Sequence, residues 1–442
     1  MNKLAIVAAA CAATFAAGAA PAVDQSSVTM TQNGNGTVVV KYRLTGEDAI
    51  VTLDFEKRDG EGNWSSLGVP LAHVTGDVNR KVAAGDALKE IQWMARKDWP
   101  DQIITDSSVR ARVTAWATNC PPDYMVLDLT SFDQFFYESP DALPYGLSNA
   151  LYRTSMLVMR KIPAGGVTFL MGQPTNTAVD VTCVGTFLPA SAAPHWVSLT
   201  NDYYMAIYET TQGQHVRLRG DNTRNSKTDD PEFPVDAMNY DGLRGTVSSG
   251  IDWPSTGATV GGALATFRAR TGIEFDIPTE AEWEFACRAG TLTAYSNGGE
   301  FTGAIAGTDS LDDIAWFSGN CPSGMSKQNN AYQGGLRAVG QKAPNPWGLY
   351  DMHGNVSEWC KDWAAPYDLS VQPAVAPGGP SADAGNGRIK RGGTWFTNGA
   401  FASSSARRAT SLTDYSFDTS QGANNTWVWA NGYRLVCPAV AK

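Results

Sequence analysis

Oxygen donors crowd the stretch from Gly348 to Trp363, GLYDMHGNVSEWCKDW. The Asp351 and Glu358 carboxylates and the Gly354 and Val356 carbonyls fall at short, uneven spacing, and Gly354 lets the backbone bend so that all four can converge. Such a set holds a hard cation. The competing reading is that the two acids only satisfy backbone N–H groups in an irregular core.

Other chemistries find less support. The four histidines, His73, His195, His215 and His353, are scattered, with no His-x-x-x-His-x-Glu run, so a three-histidine or facial-triad iron site is not expected. His195 and His215 read as hydrogen-bonded structural residues, and His353 as packing beside the cation loop. No Cys-x-x-Cys pair, phosphate loop or Ser-His-Asp order occurs. Glu280, Glu282 and Glu284 invite a reading as catalytic acids, but they open a helix. Thr279-Glu-Ala-Glu282 is a capping box, and acids in a first turn oppose the macrodipole. Trp283 and Cys287, four apart, share the face that fixes this helix to the core.

The elements around these residues fall into two domains. Residues 1–20 have a basic start, an apolar run and small residues before Pro21, the order of a secretory signal, and the apolar run is too short to span a membrane. Residues 24–130 alternate apolar and polar side chains, as in Val109–Thr114, where Arg110 and Arg112 take the wet face; they predict a small antiparallel β-sandwich. Residues 131–162, rich in Pro and aromatics, read as the connection, and residues 163–440 as the second domain. Strands are expected within Gly165–Gly172, bounded by its glycines, and at His195–Leu199. A net charge of −10 without any basic run makes nucleic acid and anionic membrane poor partners. Six cysteines follow the signal, at 120, 183, 287, 321, 360 and 437, an even number that favours disulfides in an exported chain without choosing among 15 pairings.

The GLYDMHGNVSEWCKDW stretch resembles the signature of the formylglycine-generating enzyme, or sulfatase-modifying factor, family. Tyr208-Glu-Thr-Thr-Gln212, Phe233-Pro-Val235, Ile277–Phe285, Arg391-Gly-Gly-Thr-Trp395 and Gly432-Tyr-Arg-Leu-Val436 follow that family's blocks in order. The resemblance implies a coil-rich α+β domain similar to C-type lectins, with calcium held by Asp351, Gly354, Val356 and Glu358. It also implies a Cys287–Cys437 disulfide; Cys321 with Cys360 and Cys120 with Cys183 are the pairs left over.

The same resemblance bears on activity. The family makes formylglycine with two cysteines just after the RGG[ST]W block, which bind copper(I) as thiolates, a role neither hydroxyl nor methyl can fill. With Thr394 on the family's Ser position, Thr397 and Ala402 stand where those cysteines fall, and no Cys occurs between Gly392 and Val436. Copper is therefore not expected. The reading that follows is an exported, non-catalytic protein that binds a protein, peptide or glycan through its lectin-like domain and works in a secreted, periplasmic or cell-surface location. Trp395, Arg407, Tyr415, Trp427 and Trp429, set among Ser and Asn, are the candidate ligand-binding residues. The alternative is a metal-dependent oxidase or sulfatase-maturation enzyme that uses the same cleft with different residues.

Overall fold

In Val38–Thr45 the alternating pattern becomes a strand whose Val38, Val40, Tyr42 and Leu44 are fully buried while Lys41 faces water. The computed structural model describes residues 19–100, 102, 108–172, 193–221, 229–245, 262–300, 309–321, 327–328, 331–332, 335–379, 387–410, 417–418, 427–428 and 430–441; the expected signal falls almost wholly outside them. The described chain divides into two units, one of residues 19–128, 133–152 and 439–441, the other of 129–132 and 153–438.

The first unit is built from two antiparallel sheets. One runs Ala22–Gln32, Val38–Thr45, Lys89–Trp93, Val74–Gly76; the other centres on Ala49–Arg58, paired with Val109–Ala117, Trp64–Ser66 and Arg80–Val82. A single core draws from both sheets, and Phe55 of one stacks on Trp93 of the other with centroids 4.3 Å apart. This is the predicted sandwich. Arg110 and Arg112 lie on its wet side, paired with Glu56 and with Asp54 and Glu138. Residues 131–162, expected as a connection, are divided between the units and hold the strands Gln134–Tyr137 and Met156–Ile162.

The second unit is a coil-rich α+β domain, as the sequence predicts. Met156–Ile162, Tyr203–Ala206 and Val436–Pro438 pair antiparallel in that order. Thr168–Met171 pairs with His195–Ser198, which runs parallel to Ala374–Val375. A third sheet, Arg408–Thr410, Arg388–Arg391, Ser357–Trp363, Asn431–Gly432, carries the signature stretch. The helix Glu280–Arg288 starts with the expected box: Thr279 Oγ1 accepts from Glu282 N at 3.0 Å, and Glu282 Oε2 from Thr279 N at 2.8 Å. Trp283 and Cys287 are wholly buried, and Trp283 Nε1 donates to Glu358, tying helix to strand. Among the described residues no helix is long and apolar enough to cross a membrane.

The expected Cys287–Cys437 bridge is not formed. Cys287 Sγ points into the signature loop, 3.8 Å from the Met352 carbonyl and 3.6 Å from Ser404 Oγ, whereas Cys437 Sγ lies 3.9 Å from Met159 Sδ in the sheet of Met156–Ile162, Tyr203–Ala206 and Val436–Pro438. The two side chains pack against different parts of the core. Cys287, Cys321 and Cys360 are free thiols, so the Cys321–Cys360 pair does not form either. Cys183 lies outside the described residues.

Candidate functional site

The signature loop is held by residues that tolerate left-handed backbone. Asp351 has φ 59° and Asn355 φ 60°, and their short polar side chains make that conformation accessible. Gly354 is obligatory: a Cβ there would stand 2.1 Å from the Trp316 carbonyl oxygen, which also accepts from Asn355 N at 2.9 Å. Glu209, from the Tyr208–Gln212 block, grips the same loop. Its Oε1 accepts from Val356 N at 2.9 Å and its Oε2 from Asn355 Nδ2 at 2.7 Å. Spacing along the chain did not reveal Glu209 as part of this site, because its partner lies far away in sequence.

Three buried carboxylates therefore gather here around one guanidinium. Glu358 is gripped by Arg434, with Nη2 2.8 Å from Oε1, and its Oε2 accepts from Trp283 Nε1 at 2.8 Å. Asp351 Oδ2 accepts from Gly340 N at 2.7 Å, while its Oδ1 is buried with no hydrogen-bond partner. Burial pushes the Asp351 carboxyl up to about 6. Burial, and then the charges of Asp351 and Glu358, hold Glu209 well above the usual carboxylate range. The orphaned Asp351 oxygen and the carboxylate surplus fit a cation. Glu358 fits less well, since both its oxygens already have donors.

The positions implied for thiolates lie beyond the Arg388–Arg391 strand. Gly392 and Gly393 turn the chain at φ 92° and 73°, and a Cβ on Gly393 would stand 2.9 Å from the Phe401 carbonyl. Thr397 Oγ1 accepts from Thr394 N at 2.8 Å and donates to the Thr394 carbonyl at 3.1 Å, closing the turn on itself. Ala402 is wholly buried among Ala294, Tyr295, Leu311 and Phe317. His353 Nδ1–H donates to the Ala402 carbonyl at 2.7 Å, and its Nε2 accepts from Ser296 N at 3.1 Å. Burial lowers this histidine to about 4, so it is neutral and structural, as expected. The cleft beside these positions, lined by Ser357, Lys390, Gly393 and Phe401, has a volume of about 20 Å³, room for a water molecule.

The candidate ligand-binding residues scatter. Trp395 is a core residue, 2% exposed, packed with Leu336, Val356 and Ala430, so its expected contact with a ligand is corrected. Arg407 is also buried, its Nε and Nη2 each 2.7 Å from the Glu280 carboxylate. Glu280 and Glu284 are one helical turn apart on a shared face. Arg391 bonds both, at 2.9 Å each, and Arg288 bonds Glu284 at 2.8 Å. Tyr415 and Trp429 lie outside the described residues; Trp427 belongs to the short strand Trp427–Val428, which pairs with Phe417–Asp418. His215 Nδ1 meets Tyr433 OH at 2.8 Å in the core, a structural role as expected. Among the described residues no group of three or more His, Cys, Asp or Glu has metal-binding geometry.

A protein-family model described as the sulfatase-modifying factor enzyme 1-like domain matches residues 152–422. The chaperone protein LppX of Paenibacillus barcinonensis is 28% identical over 222 residues, covering 45% of this chain and 71% of that protein. The formylglycine-generating enzyme of Streptomyces coelicolor is 34% identical over 128 residues, 28% of this chain but only 37% of that enzyme. The serine/threonine-protein kinase pkn1 of Chlamydia pneumoniae is 35% identical over 122 residues, 16% of its own length. Among solved structures, Treponema denticola variable protein 1 aligns over 64% of this chain and 95% of its own, at 21% identity and a TM-score of 0.43. PvdO from Pseudomonas aeruginosa aligns over 64% and 94%, at 20% identity and the same TM-score of 0.43.

Proposed function

The chain belongs to the sulfatase-modifying factor family, and from that premise we propose that it is an exported member that does not make formylglycine and instead binds a ligand or partner through its lectin-like domain. One observation carries the reading. Where the resemblance puts a pair of copper-binding thiolates, Thr397 has closed its hydroxyl onto Thr394 and Ala402 is a methyl group in an apolar cluster. Copper(I) is a soft ion that selects thiolate, and no side chain at either position can donate one. That the Paenibacillus barcinonensis relative, matched over 222 residues, is named a chaperone leans the same way.

Calcium belongs to this proposal as a structural ion. Asp351, with the Gly354 and Val356 carbonyls and Glu358, would hold it, and it would supply positive charge to a buried carboxylate surplus. The test of the non-catalytic reading is copper(I) competition against a chelating dye. The native chain is expected to leave the dye loaded, and Thr397→Cys with Ala402→Cys together is expected to withdraw one copper per chain. Copper taken up by the native chain at that stoichiometry would overturn the proposal.

A further inference from the structure

A second cavity, of about 390 Å³, opens elsewhere in the same unit, beside the first turn of the helix Glu280–Arg288. Trp363, Tyr367, Met171 and Pro377 form much of its wall, and Asp362 and His195 line it. The volume suits a small organic ligand. Both polar residues are 3% exposed, yet each presents an unused acceptor. Asp362 Oδ2 accepts from Glu280 N at 2.7 Å; its Oδ1 has no partner among the described residues and lies on the side of Gly379, itself part of the wall. His195 Nδ1 stands 3.0 Å from the Ala193 carbonyl, which fixes the proton there and leaves Nε2 as a bare acceptor with no partner among the described residues.

The one cationic side chain lining the cavity is already engaged. Arg407 gives Nε and Nη2 to Glu280 and Nη1 to the Ala365 carbonyl, and its guanidinium lies 4.2 Å from the Tyr367 ring centroid. Tyr367 OH accepts from Arg391. Asp368 adds a further carboxylate at the mouth. A pocket with two open acceptors, one of them on a carboxylate, and aromatic walls suits a ligand that brings N–H groups and positive charge. A bare metal ion fits less well: two open donors fall short of the four a tetrahedral ion takes, and the nearby Glu280 is held by two arginines.

We propose that this pocket binds a primary ammonium or guanidinium group on a short alkyl chain, whether a free amine or a lysine or arginine side chain of a partner. Neither Thr397 nor Ala402 lines the site. Titration calorimetry on the full chain, with agmatine and with an N-acetylated, C-amidated arginine as probes, tests it. Tetramethylammonium, of the same charge without N–H, is the control. Agmatine is expected to bind and tetramethylammonium to bind at least about ten-fold more weakly. Asp362→Asn, which keeps the acceptor for Glu280 N, and Ala374→Leu, which fills the cavity from its wall without touching a charge, should each weaken agmatine by about ten-fold or more. Equal binding of blocked arginine identifies a side chain as the ligand, and binding of agmatine alone identifies a free amine; either result supports the site. No binding of either probe at millimolar concentration, unchanged affinity in Ala374→Leu, or tetramethylammonium binding as well as agmatine would overturn it.

Discussion

Asp351 shows how a residue can be placed by chemistry before its surroundings are known. The sequence points to it as an oxygen donor, and the structure leaves one of its oxygens buried and unbonded. Its folded carboxyl titrates at about 6, against an ordinary 3.8, so the native state binds more protons than the unfolded chain between those values. Without a cation, stability therefore falls as pH rises from about 4 to about 6, by roughly 3 kcal/mol. Urea unfolding in excess chelator at pH 4.5 and pH 7 should show a loss larger by about 2 kcal/mol in the native chain than in Asp351→Asn, since part of the full loss is already spent at pH 4.5. Calcium at one hundred times its Kd should return about 2.7 kcal/mol at pH 7. An identical pH response in both proteins, or a melting curve indifferent to calcium, contradicts the site. Cys287 is the opposite case, since the family resemblance and the proposed export suggest a bridge while its contacts show a free thiol, pushed up to about 12 by burial. Cys287, Cys321 and Cys360 should resist alkylation in the folded protein or react slowly, and all three should be labelled in denaturant without reductant. Failure to label Cys287 there would restore the disulfide.

At the scale of elements, local signals were legible and long-range ones were not. The box at Thr279 could be read because Thr and Glu stand three apart, and it formed. An equivalent box at Thr211 and Gln214 opens the helix Gln212–Arg219 with the same spacing. Thr211→Ala should cost about 1 kcal/mol. The glutamates of the helix Glu280–Arg288 read as structural because they oppose the helix dipole, but Glu280 and Glu284 pair with Arg391 and Arg407, more than a hundred residues away, which no spacing rule reaches. Removing one member of such a buried network leaves charges unpaired. Glu284→Ala, stranding Arg288 and Arg391, should cost 3 to 5 kcal/mol in urea unfolding, several times the loss of the cap. Equal losses in the two variants would mean the network contributes no more than a surface pair.

The whole molecule was readable as two units because alternation at period two gives way to glycine- and tryptophan-rich coil near the middle of the chain. The boundaries were not, since residues 129–132 belong with the second unit and 439–441 with the first, and nothing local marks either. Arg407 and Trp395 illustrate the same limit for the site. Both are residue types that serve binding surfaces, and both are drawn inward by partners the sequence cannot show. The central claim concerns what the second unit does not do. Incubating the purified chain with copper, oxygen, reductant and a peptide bearing the CxPxR motif, and following the cysteine by mass spectrometry, tests it most directly. The account predicts an unchanged thiol at the level of a protein-free control; conversion of that cysteine to the aldehyde above the control would contradict it.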